Sequence, residues 1–393
     1  MGSSRRVEAL IVTWQAGGGT QVALGLGRSL AQRGHRVRVL APAADAERVA
    51  AAGCMHCPFP PELELEPGQR VEEQRAVLER IFHGPELADA VRREVVRARA
   101  DVIVVDYLLR SAAAVAELLP APHVLLIHTI FGFHGGAADD RAARRRWFEP
   151  VNAARRSLGV EGLPVGSDSV TVELTRRAAG AIVALPREFD DWDDPPANVV
   201  HAGPIIERPG RMTRWSPPWG SADARPLVVV SLGTQYMHQT DVLRRIADAL
   251  RAAPVRGLVL TGEIDPAEIP GGANLAIESY VPHETVLSDA SVVVTHAGTG
   301  TLLAAFAAGL PVLCVPLGRD QPQNARRVAE LGLGFAIDPG AEVADIAAAL
   351  AEVLDAPAYR QHATSMSSVI RGYEGGAPAV RMLEQLAARA TPN

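Results

Sequence analysis

The feature that most constrains this chain is the segment 291–327. It contains an apolar strand, a glycine-rich turn and the start of a helix. Residues 291–294 read Ser-Val-Val-Val, the continuous apolar run of a buried parallel strand. The stretch from His296 to Thr301, HAGTGT, lies where that strand turns into a helix. Backbone N–H groups and the positive end of the helix dipole meet at such a turn and bind phosphate. The segment therefore predicts a diphosphate site that needs no lysine.

Composition sets the scale of the chain and excludes several chemistries. At 393 residues the chain exceeds one ordinary core, which predicts two domains. All 39 basic residues are arginine, so a P-loop lysine, a Schiff base and a pyridoxal phosphate site are excluded. The net charge of −6 shows no basic surface for nucleic acid, and we expect no nucleic-acid partner.

The cysteines and the N-terminus bear on location. Three cysteines do not make a disulfide framework, which predicts a reducing, cytoplasmic environment. Residues 54–57, Cys-Met-His-Cys, have zinc-like spacing without a second ligand pair, so an ordinary loop is favoured over a metal site. Residues 1–6 are too short a polar lead for a signal peptide, and no apolar run approaches the ~20 residues of a membrane span. We therefore expect no membrane partner and no metal.

Strand and helix patterns alternate in two series, which is typical of doubly wound α/β sheets. In the first series the pattern predicts strands at 7–13, 36–41, 102–106, 123–127 and 181–185, and helices at 20–33, 86–99, 111–119 and 168–179. In the second it predicts strands at 227–232, 256–261, 275–279, 291–295 and 312–316. Turn formers separate the two series. The predicted domains are 1–208 and 225–375, with a linker at 209–224 and a closing segment, 376–393, that contains a helix.

Three motifs in one register resemble the inverting glycosyltransferases with the GT-B fold, a family of bacterial antibiotic and plant glycosyltransferases. They are H-x-G-x-G-T from His296, G-x-P from Gly309 and D-Q-x-x-N-A from Asp320. The resemblance implies two Rossmann-like domains facing a central cleft, an N-terminal one for the acceptor and a C-terminal one for the nucleotide sugar. It implies that the closing helix packs on the first domain. The alternative is the αβ turn of another nucleotide-binding domain.

The resemblance also implies roles for residues of the second domain. His296 and Thr301 would hold the donor phosphates, together with Thr234 and the N–H groups of Gly298, Thr299 and Gly300. Asp320 and Gln321 would hold the sugar hydroxyls. Ser231 and Gly233 would contact the nucleoside, and Val281 would flank the base through its backbone, although a plain turn explains Val281 equally well.

The first domain departs from the family at its usual catalytic histidine. Counting back from Gly34-His35 places Gly19 at that position. The glycines at 17–19 invite a dinucleotide interpretation, but residues 38–42 offer no acid for a ribose, so NAD is not expected. We interpret Gly18 and Gly19 as the mouth of an acceptor site.

Two candidate bases follow neighbouring strands. Asp106 matches the family's partner of the missing histidine, and it ends an apolar strand where burial would raise its pKa. A structural aspartate bound to backbone amides is the alternative. His128 ends the next strand and is the second candidate. It could equally be a pocket wall or a buried, satisfied imidazole.

Ala304 stands where the family usually has a glutamate that grips the ribose. Thymidine diphosphate has one ribose hydroxyl fewer and loses least, so TDP-sugars are favoured over UDP-sugars and a deoxysugar is expected. The predicted function is inverting transfer to a small natural product, such as an aromatic polyketide or a macrolide-like aglycone, without a cofactor. The alternatives are a non-catalytic helper paralogue and a nucleotide-sugar epimerase. The oligomeric state stays open, a homodimer being one alternative.

Overall fold

The computed structural model describes residues 6–15, 17–65, 71–132, 147–164, 169–192, 194–205, 215–220, 223–233 and 237–390. The chain divides into two compact units. The first comprises Met1–Pro209 and Tyr373–Asn393, and the second comprises Gly210–Gly372. Each unit is built on one parallel sheet with helices between its strands. The predicted pair of doubly wound α/β domains is therefore confirmed.

The first unit holds a seven-stranded parallel sheet. Its strands are β1 (Glu8–Val12), β2 (Arg36–Ala41), β3 (Met55–Pro58), β4 (Val102–Asp106), β5 (His123–Ile127), β6 (Gly180–Val183) and β7 (Val199–His201). They lie in the order β3-β2-β1-β4-β5-β6-β7. The strand order reverses between β1 and β4, so a crevice opens at their carboxyl ends, where open α/β sheets bind ligands.

Helices connect these strands and begin at recognisable signals. They are α1 (Gly18–Gln32), α2 (Ala46–Ala51), α3 (Val71–His83), α4 (Pro85–Arg97), α5 (Arg110–Ala116), α6 (Phe148–Ser157) and α7 (Val170–Arg177). Proline occupies the first position of α4, where its missing N–H is not needed. Ser169 caps α7, because its Oγ accepts the N–H of Val172 at 3.3 Å. The α1 side chains Leu24, Leu26 and Leu30 belong to the buried core of the unit.

The second unit repeats the arrangement with six parallel strands. They are β8 (Leu227–Ser231), β9 (Arg256–Leu260), β10 (Leu275–Glu278), β11 (Val292–Thr295), β12 (Val312–Cys314) and β13 (Gly334–Ala336). The order is β10-β9-β8-β11-β12-β13, so the reversal falls between β8 and β11.

The helices of the second unit are α8 (Thr240–Ala252), α9 (Thr299–Ala307), α10 (Gln321–Glu330), α11 (Val343–Asp355) and α12 (Pro357–Gly372). The apolar face of α8 carries Leu243, Ile246 and Leu250, which share one core with Ile346 and Leu350 of α11. The final helix, α13 (Ala377–Arg389), belongs to the first unit. None of the helices in the described residues is long and apolar enough to cross a membrane.

The sequence patterns missed three strands. The loop predicted at residues 54–57 is wrong, because Met55–Pro58 forms the edge strand β3. Its pairing is tertiary: Cys57 lies opposite Leu40 of β2, and Nε2–H of His56 donates to the carbonyl of Ala41 at 2.8 Å. Strands β7 and β13 have three residues each, too few to show a period. Residues 209–214 and 221–222 of the predicted linker lie outside the described residues.

A histidine at the end of α1 fixes the last helix of the chain. Nδ1 of His35 accepts the N–H of Val7 at 3.2 Å, so Nε2 carries the proton and donates to Glu384 of α13 at 2.9 Å. Arg33 binds the same carboxylate at 2.9 Å. Burial raises the pKa of Glu384, but hydrogen bonds from Arg33 and His35 outweigh it, and the pKa lies below its ordinary value of 4.5.

Replacing Glu384 by Gln should destabilise the protein in a pH-dependent way. A carboxylate whose pKa is lowered by folding contributes stability above its unfolded pKa and loses that contribution as pH falls through the folded value. We expect Glu384→Gln to lower the free energy of unfolding by about 0.5–1 kcal/mol at pH 7, measured by urea unfolding, since the pair is partly exposed. The difference should shrink below pH 4.5. Equal losses at both pH values would contradict the assignment.

Candidate active site

The carboxyl ends of β8 and β11 lie side by side, because Ser231 and Thr295 are register partners. Gly233 follows β8, and His296 follows β11 directly. A Cβ atom added to Gly233 would lie 3.1 Å from Cε1 and Nε2 of His296, so the two loops touch. The structure therefore brings together residues that are far apart in the sequence. We call Ser231, Gly233, His296, Gly298 and Thr301 the second-unit site.

The turn between β11 and α9 is strained. Ala297 has a φ of 68°, a left-handed value that costs a non-glycine residue roughly 1–2 kcal/mol. Its N–H donates to Oγ1 of Thr295 at 3.3 Å, and its carbonyl accepts Nδ2 of Asn324 at 3.0 Å. The next residue, Gly298, is the N-cap of α9 and has no side chain to cap it. The positive end of α9 is therefore arranged to receive an anion.

His296 is held in one protonation state and one position. Burial lowers the pKa of its imidazole to about 4, and Arg319 acts in the same direction, whereas a hydrogen bond to the Ser231 backbone and the Asp320 carboxylate act against it. The ring is therefore neutral at pH 7, with one nitrogen as donor and the other as acceptor. Nδ1 is buried, with no hydrogen-bond partner among the described residues. A Cβ atom on Gly298 would lie 2.5 Å from Nε2, so the ring fits only against glycine.

Asp320 and Gln321 lie at the start of α10 and are held differently. Oδ2 of Asp320 accepts Nδ2 of Asn324 at 3.1 Å. The side chain of Gln321 is buried, and its Oε1 accepts the N–H groups of Leu317 and Gly318 at 2.8 and 3.1 Å. In this arrangement the Gln321 amide stabilises its own loop, and its contact with a sugar stays a prediction.

The remaining residues predicted for the second unit lie around the same strand ends. Nε2 of His283 is 3.3 Å from Oγ of Ser231, which brings the segment after Val281 to the end of β8. Burial lowers the pKa of His283. Val281 itself is buried. Thr299 and Gly300 begin α9, and Thr234 lies outside the described residues.

In the first unit, the two candidate bases form a pair. Nε2 of His128 lies 3.1 Å from Oδ2 of Asp106 at the carboxyl ends of β5 and β4. Oδ1 of Asp106 accepts the N–H of Leu108 at 3.0 Å, so the buried carboxylate has a fixed orientation. Because a carboxylate only accepts, Nε2 of His128 carries the proton of this hydrogen bond, which leaves Nδ1 as the nitrogen that can act as a base. The His128 side chain is 15% exposed and packs edge-on against Tyr107.

The loop that carries His128 is hydrogen-bonded to Asp190, which lies between β6 and β7. Oδ1 of Asp190 accepts the N–H of Gly132 at 2.7 Å, and its Oδ2 accepts Nε2–H of His201 at 2.7 Å. A Cβ atom on Gly132 would lie 1.8 Å from Oδ1 of Asp191, so glycine is required. These contacts are tertiary and could not be read from the sequence pattern.

Gly18 and Gly19 are the first residues of α1, at the carboxyl end of β1. Gly18 is exposed and Gly19 is buried. A Cβ atom at Gly18 would meet nothing within 4 Å. Trp14 precedes them, and its ring packs edge-on against Phe82 at 4.9 Å between centroids. The role of the two glycines as an acceptor mouth stays a prediction.

Known proteins resemble both units. Residues 261–371 match the family of the erythromycin biosynthesis protein CIII-like C-terminal domain, and residues 16–159 match glycosyltransferase family 4. The chain is 28% identical to demethyllactenocin mycarosyltransferase of Streptomyces fradiae, covering 98% of this chain and 87% of the relative. The calicheamicin glycosyltransferase structure is 26% identical and matches with a TM-score of 0.78, covering 99% of this chain and 100% of that chain.

Both units therefore resemble glycosyltransferases with the GT-B fold. A second solved glycosyltransferase, a spinosyn rhamnosyltransferase complexed with thymidine diphosphate, shares its fold with a TM-score of 0.66. It is 21% identical and covers 93% of this chain and 96% of that chain. The family resemblance of the three motifs and the two-domain fold predicted from it are confirmed.

The sequence pattern did not predict two features of this glycosyltransferase. Asn324 is fully buried and links the strained Ala297 turn to Asp320, although its place in the D-Q-x-x-N motif was a signal. Arg110 begins α5, only four residues after Asp106, and is nine-tenths buried. No pattern marked it.

Replacing Gly298 by Ala should weaken nucleoside diphosphate binding by this glycosyltransferase. The new Cβ would displace His296, whose lost hydrogen bond to a charged ligand is worth about 1.5–3 kcal/mol, so we expect roughly tenfold or greater weakening by calorimetry. Gly271→Ala is the matched control, because nothing lies within 4 Å of its Cβ. In a His296→Ala background, Gly298→Ala should add little. A full additional loss there would show that Gly298 acts independently of His296.

Proposed function

We propose that this enzyme transfers a sugar with inversion from a thymidine or uridine diphosphate sugar to a hydroxyl of a small natural product. The observation that carries the proposal is the hydrogen bond between His128 and Asp106. A paired imidazole and carboxylate is a general base that removes a proton from an acceptor hydroxyl. Gly19 stands at the position of the family's usual catalytic histidine, and this pair would supply the base in its place.

The proposed reaction is a single displacement. The acceptor hydroxyl gives its proton to Nδ1 of His128 while its oxygen forms a bond to C1 of the sugar. The C1–O bond to the diphosphate breaks, and the nucleoside diphosphate leaves with the bonding electrons. Asp106 orients the ring through Nε2–H and stabilises the imidazolium that forms. Attack opposite to the leaving group inverts the configuration at C1.

The second-unit site is suited to the charge that grows on the leaving diphosphate. The uncapped start of α9 and the N–H of the neutral His296 are donors in a mostly buried position. Such donors stabilise a transition state that carries more phosphate charge than the ground state. Thr301 lies in the first turn of α9 and is buried, and its hydroxyl is a further candidate.

The acceptor is proposed to be an aromatic polyketide or a macrolide-like aglycone. Demethyllactenocin mycarosyltransferase and the calicheamicin glycosyltransferase, both similar to this chain over nearly its whole length, support a natural-product acceptor. The partly exposed rings of Trp14 and Phe82 beside the carboxyl end of β1 favour a planar one.

The base proposal predicts a graded response to acceptor acidity. Asp106→Asn and His128→Gln should each lower turnover by about 10²–10⁴ for an aliphatic alcohol, because each removes the base or its orientation. The loss should shrink for phenols of falling pKa, since an ionised phenolate needs no base. The double variant should be no slower than the slower single variant, because the pair acts as a unit. Losses that multiply, or that ignore acceptor acidity, would contradict the pair.

The donor proposal predicts that TDP binds at least as tightly as UDP. Ala304 leaves the ribose without a carboxylate acceptor, and TDP has one ribose hydroxyl fewer to satisfy. Ala304→Glu is the matched gain-of-contact variant and should shift the preference toward UDP by roughly tenfold, the size of a charged hydrogen bond. Calorimetric titration of both nucleotides with both proteins measures this. A clear UDP preference in the wild-type enzyme would refute the proposal.

A further inference from the structure

Three arginines are buried among the described residues, and two of them have anionic partners. Arg155 binds both oxygens of Glu117, at 2.6 and 2.9 Å, and also donates to the carbonyl of Glu161. Arg38 pairs with Glu94 at 3.2 Å and donates to the carbonyls of Ala98 and Arg99. These partners follow the physical rule that a guanidinium taken out of water needs a negative partner and acceptors.

The third, Arg110, does not follow this rule. Its Nη1 donates to Nε2 of His83 at 3.2 Å, and its guanidinium carbon lies 5.0 Å from the centre of the Trp147 ring. Its Nε is buried without an acceptor, and no carboxylate lies within ion-pair distance in the described part of the chain. Tyr107, and to a smaller extent Glu79, oppose the effect of burial on its pKa, and the Glu79 side chain is half exposed. Burial lowers the pKa of Arg110 to about 10, which records the missing counter-charge.

His83, which contacts Arg110, and Trp14, which is linked to His83 through Phe82, are also donors without acceptors among the described residues. Since Nε2 of His83 accepts from Arg110, the proton of this imidazole lies on Nδ1. Burial lowers the pKa of His83 to about 4, so the ring is neutral at pH 7. Nδ1 of His83 and Nε1 of Trp14 are both buried without a partner in the residues described here. Phe82 links them, since its ring packs against both. The cluster thus offers three unused N–H groups and a positive charge.

The cluster lies where the first sheet reverses its strand order. Trp14 follows β1, and Arg110 follows β4 after the Asp106 carboxylate. This is the crevice in which doubly wound sheets bind ligands. The rings of Trp14, Phe82 and Trp147 are each partly exposed, and Trp147 stacks on His83 at 6.5 Å. A ligand that reached the cluster would therefore meet aromatic faces and a positive charge together.

We propose that Arg110 binds an ionised oxygen of the acceptor, a carboxylate or an acidic phenol or enol, while the neighbouring rings contact the acceptor's planar body. This inference rests on the proposed function and narrows its acceptor to planar molecules that carry a negative charge. The anion would give the buried guanidinium the partner that Arg38 and Arg155 already have. It would also accept from the unused N–H groups, which a neutral hydrocarbon could not do.

The test uses two planar phenols that differ in charge, a hydroxynaphthoic acid and its methyl ester, titrated at pH 7 by fluorescence. A nitronaphthol that is ionised at pH 7 separates a phenolate requirement from a carboxylate requirement. We expect the wild-type enzyme to bind the acid at least tenfold more tightly than the ester, the scale of a charge-assisted hydrogen bond. Arg110→Gln should remove the preference, and Arg110→Lys should keep part of it.

Two controls keep the outcome specific. Arg36→Gln changes an arginine whose side chain is 61% exposed and should keep the full preference for the acid. Trp147→Leu should weaken acid and ester alike, since it removes a ring face. A preference that survives Arg110→Gln, equal binding of acid and ester by the wild-type enzyme, or binding of neither, would overturn the proposal. If the Arg110 variants fail to fold, acid and ester binding by the wild-type enzyme still tests the proposal, because equal binding of the two would overturn it.

The same panel separates this inference from the proposed function. Sugar transfer to the ester, with the dependence on Asp106 and His128 described above, would uphold the proposed function even if Arg110 had no part in binding. TDP affinity reports the second unit and should not change in the Arg110 variants. Loss of transfer to every acceptor would instead count against the proposed function.

Discussion

The reversal of strand order in each sheet is the constraint on which both candidate sites depend. Parallel strands need crossover connections of one hand, so the connections diverge where the order reverses. In the first unit this happens between β1 and β4, and in the second between β8 and β11. The strand ends and connections that diverge there carry Trp14, Asp106 and Arg110 in one unit, and Gly233 and His296 in the other. Each site is therefore a consequence of the winding of its sheet.

Close packing around one imidazole explains the glycine pattern of the second-unit site. Gly233 and Gly298 both approach the His296 ring, where a methyl group would overlap it. The turn from β11 to α9 contains the left-handed Ala297, and the buried amide of Asn324 donates to the carbonyl of that residue. Strain of this kind persists where surrounding contacts enforce it, and it is concentrated at functional sites. The glycines of this motif thus leave the space that the His296 ring and the N-terminus of α9 need.

The two units handle buried polar groups in different ways. In the second, burial keeps His296 and His283 neutral, so they act as hydrogen-bond donors and acceptors without a charge. In the first, Asp106 and His128 bind one another, whereas Arg110 has no carboxylate within ion-pair distance among the residues that the structure describes. A buried charge without a partner destabilises a fold. The position of Arg110 beside a ligand crevice therefore indicates that this residue has a function that outweighs its cost in stability.

The sequence by itself determined the fold class and the position of the glycine-rich turn between β11 and α9. The ends of the apolar strands at Asp106, Ile127 and Ser231 were predicted to within one residue. A buried parallel strand is a continuous apolar run, so its own sequence is enough to identify it. The edge strand β3 was missed, because its partner is tertiary. The pairing of His128 with Asp106, the support of Ala297 by Asn324 and the isolation of Arg110 were decided only by tertiary structure. Each depends on which side chains come into contact after folding, and the sequence pattern does not give the distances between residues that are far apart along the chain.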